Sequence, residues 1–152
     1  KALDVNLGVD TNPAMSLRAL KFGTLKELES FFIMMTKVPS IDFSANTKLQ
    51  SIDIGSAPML EKIVGLDKLT NLKSFGIGNT LTGCELDLSI CPSLKSVSIN
   101  SGKTFGVLNL SNLSLDNLTL SISNSTPLVS TNLSCVKLEN VSGQTFPSGA
   151  PS

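Results

Sequence analysis

The sequence predicts a mainly β solenoid, in which the chain winds through stacked coils whose strands run parallel. Three observations predict this fold: an apolar phrase recurs at a nearly constant step, a shorter phrase lies halfway between its copies, and turn-forming residues separate the two. The first phrase has apolar residues at its first, fourth and sixth positions. It reads LESFFI at 28–33, LQSIDI at 49–54, LKSFGI at 72–77, LKSVSI at 94–99, LDNLTL at 115–120 and LSCVKL at 133–138.

The step between copies is the length of one coil in a repeat protein. Ile54, Ile77, Ile99 and Leu120 close four consecutive copies, and the steps between them are 23, 22 and 21 residues. The second phrase reads IDFS at 41–44, LDLS at 86–89 and LNLS at 108–111. Asn, Ser, Gly and Pro lie between the phrases, so each coil is expected to contain two short strands joined by turns.

The alternation of side chains within each copy explains why such coils have to stack. Phe75 and Ile77 point to one side of a strand, whereas Ser74, Gly76 and Gly78 point to the other. A single coil cannot hide its apolar side, but stacked coils form a continuous core. Each buried Leu or Ile contributes about 1.5–3 kcal/mol. We therefore expect one solenoid domain over residues 1–141 with about six to seven turns.

The N-terminal elements fit this pattern with one ambiguity. LDVNL at 3–7 alternates as a strand that opens the solenoid, and LRALKF at 17–22 is a strand whose layer the sequence leaves open. Residues 24–36 have two interpretations. Thr24 and Glu27 have the spacing of a helix capping box, but a strand over 28–33 keeps the repeat in phase and is favoured.

One further segment is a candidate for a short helix, and the C-terminal residues have the composition of a tail. Residues 56–72 form the longest connection, with Pro58 suited to a first helical position and apolar residues at helical spacing, although Gly65 weakens the helix. At most one or two short helices are therefore expected in the chain. Residues 142–152, rich in Gly, Pro and Ser, are expected to be a tail or linker.

The composition argues against several classes of function. Twelve Lys and Arg balance twelve Asp and Glu, which leaves no electrostatic footprint for nucleic acid. The chain has no His, Trp or Tyr, so the commonest general base and metal ligand and the usual aromatic platforms for sugars are missing. No phosphate-binding glycine motif is present. No apolar run is long enough to cross a bilayer, so no membrane insertion by this segment is expected. No cofactor is expected.

Three cysteines, at 84, 91 and 135, have no CxxC spacing and do not suggest a zinc site. Buried free thiols are the favoured interpretation, and a Cys84–Cys91 disulfide is the alternative. Asp42, Asp87, Asn109 and Asn132 occupy similar places in the second phrase. A column of oxygen ligands could bind calcium, but two Asp on distant coils are too few. We expect these side chains to accept hydrogen bonds from turn amides instead.

The phrases LDLSICPSLKSVSI and IDFSANTKLQSIDI resemble the leucine-rich repeats of Bacteroidetes-type bacterial surface proteins, over about residues 38–140. The resemblance implies a right-handed solenoid of the α/β solenoid class with a concave sheet of parallel strands. It also implies that the outward positions of that sheet contact the partner. On this chain those positions include Phe32, Met34, Ser51, Asp53, Ser74, Gly76, Ser96, Ser98, Asn117, Thr119, Lys137 and Glu139.

These outward residues have two interpretations. Most are small and polar, which permits the close approach of another backbone but also suits a solvated, curved sheet without any partner. Phe32 and Met34 are large and apolar, and on an open face they would mark a contact site unless another segment covers them.

Three functions follow for the chain. The leading hypothesis is a non-enzymatic, possibly adhesive binding module of a secreted or cell-surface protein, with a protein ligand favoured over an extracellular glycan because aromatic platforms are missing. The start at Lys1 rather than Met fits removal of an upstream segment. The alternatives are a structural spacer and, less favoured, a polysaccharide-active enzyme, which needs a pair of carboxylates in one pocket.

Overall fold

The computed structural model describes residues 1–6, 20–34, 38–78, 85–100, 106–122, 126 and 128–139. Within these residues the chain forms strands and a single 3-10 helix at Leu66–Lys68. The strands are β1 (Ala2–Asn6), β2 (Leu20–Lys21), β3 (Ser30–Met34), β4 (Ser40–Asp42), β5 (Ser51–Ile54), β6 (Lys62–Val64), β7 (Ser74–Gly78), β8 (Glu85–Asp87), β9 (Ser96–Asn100), β10 (Val107–Asn109), β11 (Ser114–Ser121), β12 (Leu128–Val129) and β13 (Ser134–Glu139).

The strands form two layers, and every described pairing is parallel. The odd-numbered strands make one seven-stranded sheet in the order β1-β3-β5-β7-β9-β11-β13, here called the main sheet. The even-numbered strands make the second layer, which consists of two three-stranded sheets, β2-β4-β6 and β8-β10-β12. Because consecutive strands of the chain alternate between the layers, the molecule is a mainly β solenoid, as the repeated phrases predict.

The turn count is lower than the six to seven expected from the sequence, at about four. Neighbouring coils are hydrogen-bonded in both layers at four places. The second-layer strand pairs at these places are β2–β4, β4–β6, β8–β10 and β10–β12. No described pairing joins β6 to β8. The expected number was too high because it equals the number of main-sheet phrases, whereas the second layer is interrupted between β6 and β8.

The core lies between the two layers and consists of the residues that the two phrases mark as apolar. Phe75 and Ile77 of β7 are buried, as are Ile52 and Ile54 of β5. At the N-terminal end, Phe22, Phe31 and Phe43 form an aromatic cluster with ring centroids 4.9–5.9 Å apart. Further along the chain the core is aliphatic, with Leu86, Leu88, Leu108, Leu110, Leu113, Leu115, Leu118 and Leu120 all buried.

The coils of the N-terminal part reach the main sheet through two successive tight turns. The amide of Asn46 donates to Phe43 O (2.8 Å), and the amide of Leu49 donates to Asn46 O (3.0 Å). The same pair of bonds recurs over 22–28, 66–72 and 88–94. We call these double-turn coils, and their apolar side chains fall at every third residue because each turn advances the chain by three.

The last two coils use one turn and are shorter. Asn112 and Asn132 have φ values of 60° and 54°, in the left-handed region that Asn tolerates better than most residues. Each is followed by one residue and then by a strand, β11 or β13. We call these single-turn coils. The alignment of LSCVKL with LDNLTL that the sequence suggests is wrong: strand pairing places Leu138 beside Leu118, a step of 20 residues, and Val136 is 84% exposed.

The strand interpretation of 28–33 is confirmed, because Ser30–Met34 is strand β3, paired with β1 and β5. The segment LRALKF contributes β2, which pairs with β4 and so belongs to the second layer. LDVNL contributes to β1. Leu7, residues 17–19, residues 35–36 and the predicted tail over 142–152 lie outside the described residues.

The helix expected over 56–72 is wrong apart from the single 3-10 turn at Leu66–Lys68. Strand β6 occupies Lys62–Val64 and pairs with β4. Gly65 then takes a φ of 86°, and a Cβ at this position would lie 2.5 Å from the backbone nitrogen of Ser44. The buried residues Leu66, Leu69 and Leu72 follow at the spacing of three that double-turn coils require, which resembles helical periodicity over so short a stretch.

Candidate functional site

The residues predicted to contact a partner lie on one side of the main sheet, here called the open face. The face is made by the strand positions that alternate with the buried core residues. In β7, for example, Phe75 and Ile77 are buried, whereas Ser74 and Gly76 are half-exposed. Its first column, in strand register, contains Ser30, Ser51, Ser74, Ser96, Asn117 and Lys137. Its second contains Phe32, Asp53, Gly76, Ser98, Thr119 and Glu139.

Eleven of the twelve positions named above belong to these two columns, which also contain the outward residue Ser30, and Met34 lies two residues beyond Phe32 on β3. The sheet register therefore brings all twelve positions onto one surface. Glu139 is placed by the pairing of its backbone with Thr119. Whether these residues contact a partner stays a prediction.

Phe32 and Met34 remain accessible at the β3 end of the open face. Phe32 is half-buried, and Met34 is 41% exposed. The side chain of Met34 leans over the next coil, where a Cβ on Gly55 would lie 3.1 Å from Met34 Cγ. Two adjacent apolar side chains on a solvent-facing sheet form the kind of patch that marks an interaction surface.

Glycines leave the part of the open face next to Asp53 without side chains. A Cβ on Gly76 would lie 3.0 Å from Oδ1 of Asp53, and one on Gly78 would lie 2.6 Å from the carbonyl oxygen of Gly55. Asp53 is exposed and forms no ion pair with a described residue. The result is an apolar ridge at β3, the Asp53 carboxylate on its β5 side and a floor of backbone beyond; on the other side the backbone of Asp4 pairs with Phe32.

The polar residues of the second phrase cap turns, as expected. The amides of Ser44, Ser89 and Ser111 donate to Oδ1 of Asp42 (2.9 Å), Asp87 (3.0 Å) and Asn109 (3.0 Å). Hydrogen bonds from the Ser44 hydroxyl and amide, with a weaker effect of nearby Lys21, hold the pKa of Asp42 below its ordinary value.

Asn132 does not belong to this column, which corrects its grouping with Asn109. Strand pairing places Val129, not Asn132, beside Asn109. Asn132 instead follows Asn112, to whose Oδ1 it donates a hydrogen bond of 3.3 Å. Across the described ranges, no group of three or more Cys, Asp or Glu side chains could hold a metal ion.

Two of the three cysteines are free and buried, as expected. The thiol of Cys91 lies 3.5 Å from Leu66 O, and burial raises the pKa of this thiol to about 11. Burial also raises the pKa of the Cys135 thiol. Because Cys91 is free, the Cys84–Cys91 disulfide is not formed; Cys84 itself lies outside the described residues.

A second candidate site was missed by reasoning from the sequence. A cavity of about 300 Å³ is lined by Glu29, Lys48, Gln50, Asn71 and Lys73. We call the surface around it the entry flank, because Glu29, Gln50 and Lys73 directly precede strands β3, β5 and β7. The signal is present in LES, LQS and LKS, where the residue before each strand is charged or an amide. The alternation of side chains within the strands does not identify these residues, because they lie just outside the strands.

No helix in the part of the chain that the structure describes is long and apolar enough to cross a membrane. Comparisons of the chain with protein-family models, with curated proteins and with solved structures found no match.

Proposed function

We propose that this chain is a leucine-rich-repeat binding module of a secreted or cell-surface protein, and that it contacts a protein partner through the open face without catalysing a reaction. The observation that carries the proposal is the strand register, which aligns small polar residues in two columns beside the apolar pair Phe32 and Met34. Interfaces typically combine a few large apolar anchors with surrounding contacts of low individual energy.

The chemistry of the open face favours a protein over a sugar. Phe32 is the one aromatic residue among the described positions of this face, which leaves little surface on which sugar rings could stack. Short Ser and Gly side chains in the neighbouring columns allow a partner's backbone to approach closely. Phe32 and Met34 supply apolar area that a partner side chain could cover.

The same surface offers little for hydrolysis. Glycoside hydrolases generally use two carboxyl groups a few ångströms apart. In the register of the open face Phe32 separates Asp53 from Asp4 and four strand steps separate Asp53 from Glu139, while Glu29 is the one carboxylate that lines the entry-flank cavity. A binding role fits these isolated charges better than an acid and base pair does.

Affinity capture from extracellular extracts tests the proposal. The bait variants are the wild type, the open-face variant Phe32→Glu/Met34→Glu/Ser98→Arg, and the control Met59→Glu/Val129→Glu. The control makes the same apolar-to-acidic change at two exposed side chains away from the open face. Circular dichroism establishes that all three fold alike.

We expect a protein that is captured by the wild type and the control but lost from the open-face variant. Equal capture by all three baits would move the contact surface away from the open face. No captured protein with any bait would favour the structural spacer.

A further inference from the structure

The cavity of the entry flank is lined by charged and amide side chains that come from stacked coils. The amide of Gln50 donates to Glu29 O (2.7 Å), and that of Lys73 donates to Gln50 O (2.8 Å). Asn71 comes from the preceding turn, and its Nδ2 donates to Thr47 O (3.1 Å). Because neighbouring coils fix these backbones, the lining side chains start from defined positions.

Two of the three charged side chains that line the cavity form ion pairs, and the third, Lys73, forms none with the described residues. Lys48 forms an ion pair with Glu27 (2.6 Å), and Glu29 lies 3.4 Å from the amino group of Lys1. Lys73 has only a neutral partner, the amide oxygen of Gln50 at 3.3 Å, and forms no ion pair with a described carboxylate. The cavity therefore contains one cation whose charge is available to an anion.

A second such cation follows on the next coil. The amide of Lys95 donates to Lys73 O (2.8 Å), and its Nζ donates to the carbonyl of Ser114 (3.2 Å). Adjacent parallel strands are about 4.8 Å apart. The Nζ of Lys73 reaches back to Gln50 and that of Lys95 reaches forward to Ser114, so the two ammonium groups lean away from each other, each hydrogen-bonded to a neutral oxygen.

The lining chemistry identifies the class of ligand. The amides of Gln50 and Asn71 both donate and accept hydrogen bonds, which matches hydroxyl groups because these also do both. Glu29 accepts and Lys73 donates, and Lys73 can also form a charge-assisted bond with a carboxylate. A cavity of about 300 Å³ is at the small end of ligand sites and suits a single ring.

We propose that the entry flank binds a hexuronate unit, with its carboxylate on Lys73 and its hydroxyls on Gln50, Asn71 and Glu29. In a polyuronate chain the carboxylate of another unit meets Lys95, which lies one coil further along. The site adjoins the open face but shares no residue with it, so the proposal does not depend on the proposed protein contact.

Titration of the isotopically labelled protein, followed by amide chemical shifts in NMR, tests this site. The probes are glucuronate, glucose and trigalacturonate. The variants are Lys73→Gln and the control Lys62→Gln, which removes an exposed lysine of the second layer. We expect glucuronate to shift the amides of 48–50 and 71–73 with millimolar affinity, and glucose to shift them far less.

Lys73→Gln should weaken glucuronate binding by roughly tenfold, the effect of one charge-assisted hydrogen bond, while Lys62→Gln leaves it unchanged. Equal shifts with glucose and glucuronate, an unchanged affinity in Lys73→Gln, or no shifts at all would each overturn the proposal. All of these NMR titrations use the full chain, and circular dichroism checks that the variants fold.

Lys95→Gln separates a polymer from a free monosaccharide as the source of the uronate. If the ligand is a polyuronate, trigalacturonate binds the wild type roughly tenfold more tightly than glucuronate does, and Lys95→Gln removes that gain without changing glucuronate binding. If the two uronates bind equally and Lys95→Gln changes neither, the polymer part of the proposal is wrong and the site is one for the free sugar acid.

Discussion

The double-turn coils and the single-turn coils build the same main sheet by different means. The double-turn coils over 43–49, 66–72 and 88–94 bury a side chain at each of three positions before the strand, as Leu66, Leu69 and Leu72 do, whereas Leu25 in the first such coil is exposed. A single-turn coil buries two, Leu110 and Leu113, and then enters the eight-residue strand β11. The length of a coil therefore depends on its turns, whereas both kinds of coil add a parallel strand to the same sheet.

The two regions also differ in what fills the core. The double-turn coils contain the cluster of Phe22, Phe31 and Phe43, whereas the single-turn coils pack Leu against Leu. Phe43 and Leu110 occupy the same place after their second-layer strands, and both are fully buried. Substitutions at equivalent positions of the two regions should therefore differ in their effect on stability.

Phe43→Ala should destabilise the protein by about 4 kcal/mol and Leu110→Ala by about 3 kcal/mol. The larger loss at Phe43 follows from removing a ring whose centroid lies 5.1 Å from that of Phe31. Urea denaturation measured by circular dichroism gives both free energies of unfolding. A cost at Leu110 equal to or above that at Phe43 would show that the aromatic cluster gives the double-turn coils no added stability.

Asn46→Leu tests a buried polar exception in the double-turn coils. Leu69 and Cys91 hold the same place in later coils, but Asn46 is buried and donates from Nδ2 to Phe22 O (3.0 Å) and Leu25 O (2.8 Å). Leaving these carbonyls without a donor should cost about 2 kcal/mol, although leucine suits the place elsewhere. Cys91→Leu is the matched change at a side chain whose one such bond is the weaker thiol contact with Leu66 O (3.5 Å), and it should cost less in the same urea experiment.

Exchanging turn residues between the two kinds of coil should have unequal effects. Asn112→Ile should cost about 1–2 kcal/mol, because a β-branched residue is strained at a φ of 60°. Ile90 has the equivalent position in a double-turn coil and an ordinary φ, so Ile90→Asn should change stability by about 0.5 kcal/mol or less. Thermal unfolding measures both, and equal costs would contradict the distinction between the two turns.

Alkaline pH should weaken the fold through Cys91. Its pKa is about 11 in the folded protein and near 9.0 when exposed, so the folded state keeps a proton that the unfolded state releases. The free energy of unfolding should therefore fall as pH rises from about 9 to 11, by about 1–2 kcal/mol. Cys91→Ala should remove this part of the pH dependence, and identical slopes in the two proteins would argue against a buried neutral thiol.

The parts of the fold that depend on side-chain alternation could be predicted from the sequence. The apolar positions of LKSFGI and LKSVSI identify β7 and β9, their core residues and their outward residues, because period-two alternation is a local property. The second layer was less predictable. Its register depends on turn type, and that type is fixed by the φ of Asn112 and Asn132, which also explains why Asn132 was grouped with the wrong residues.

The entry flank illustrates a different limit. Glu29, Gln50 and Lys73 are separated by more than twenty residues each, and only the pairing of coils brings them around one cavity. The open face could be proposed because its columns follow from strand positions alone. A site whose residues come partly from turns, as Lys48 and Asn71 do, requires the turn geometry before it can be recognised.

The glycines of the open face make the chain's tolerance to sequence change depend on the order of the changes. At Gly76 the obstacle to a side chain is the carboxylate of Asp53, 3.0 Å away, so shortening Asp53 first would open the position to alanine or serine. At Gly78 the obstacle is the backbone oxygen of Gly55, 2.6 Å away, and no prior side-chain change removes it. A lineage could thus acquire new contact residues at position 76 in two steps, whereas position 78 is closed to that route.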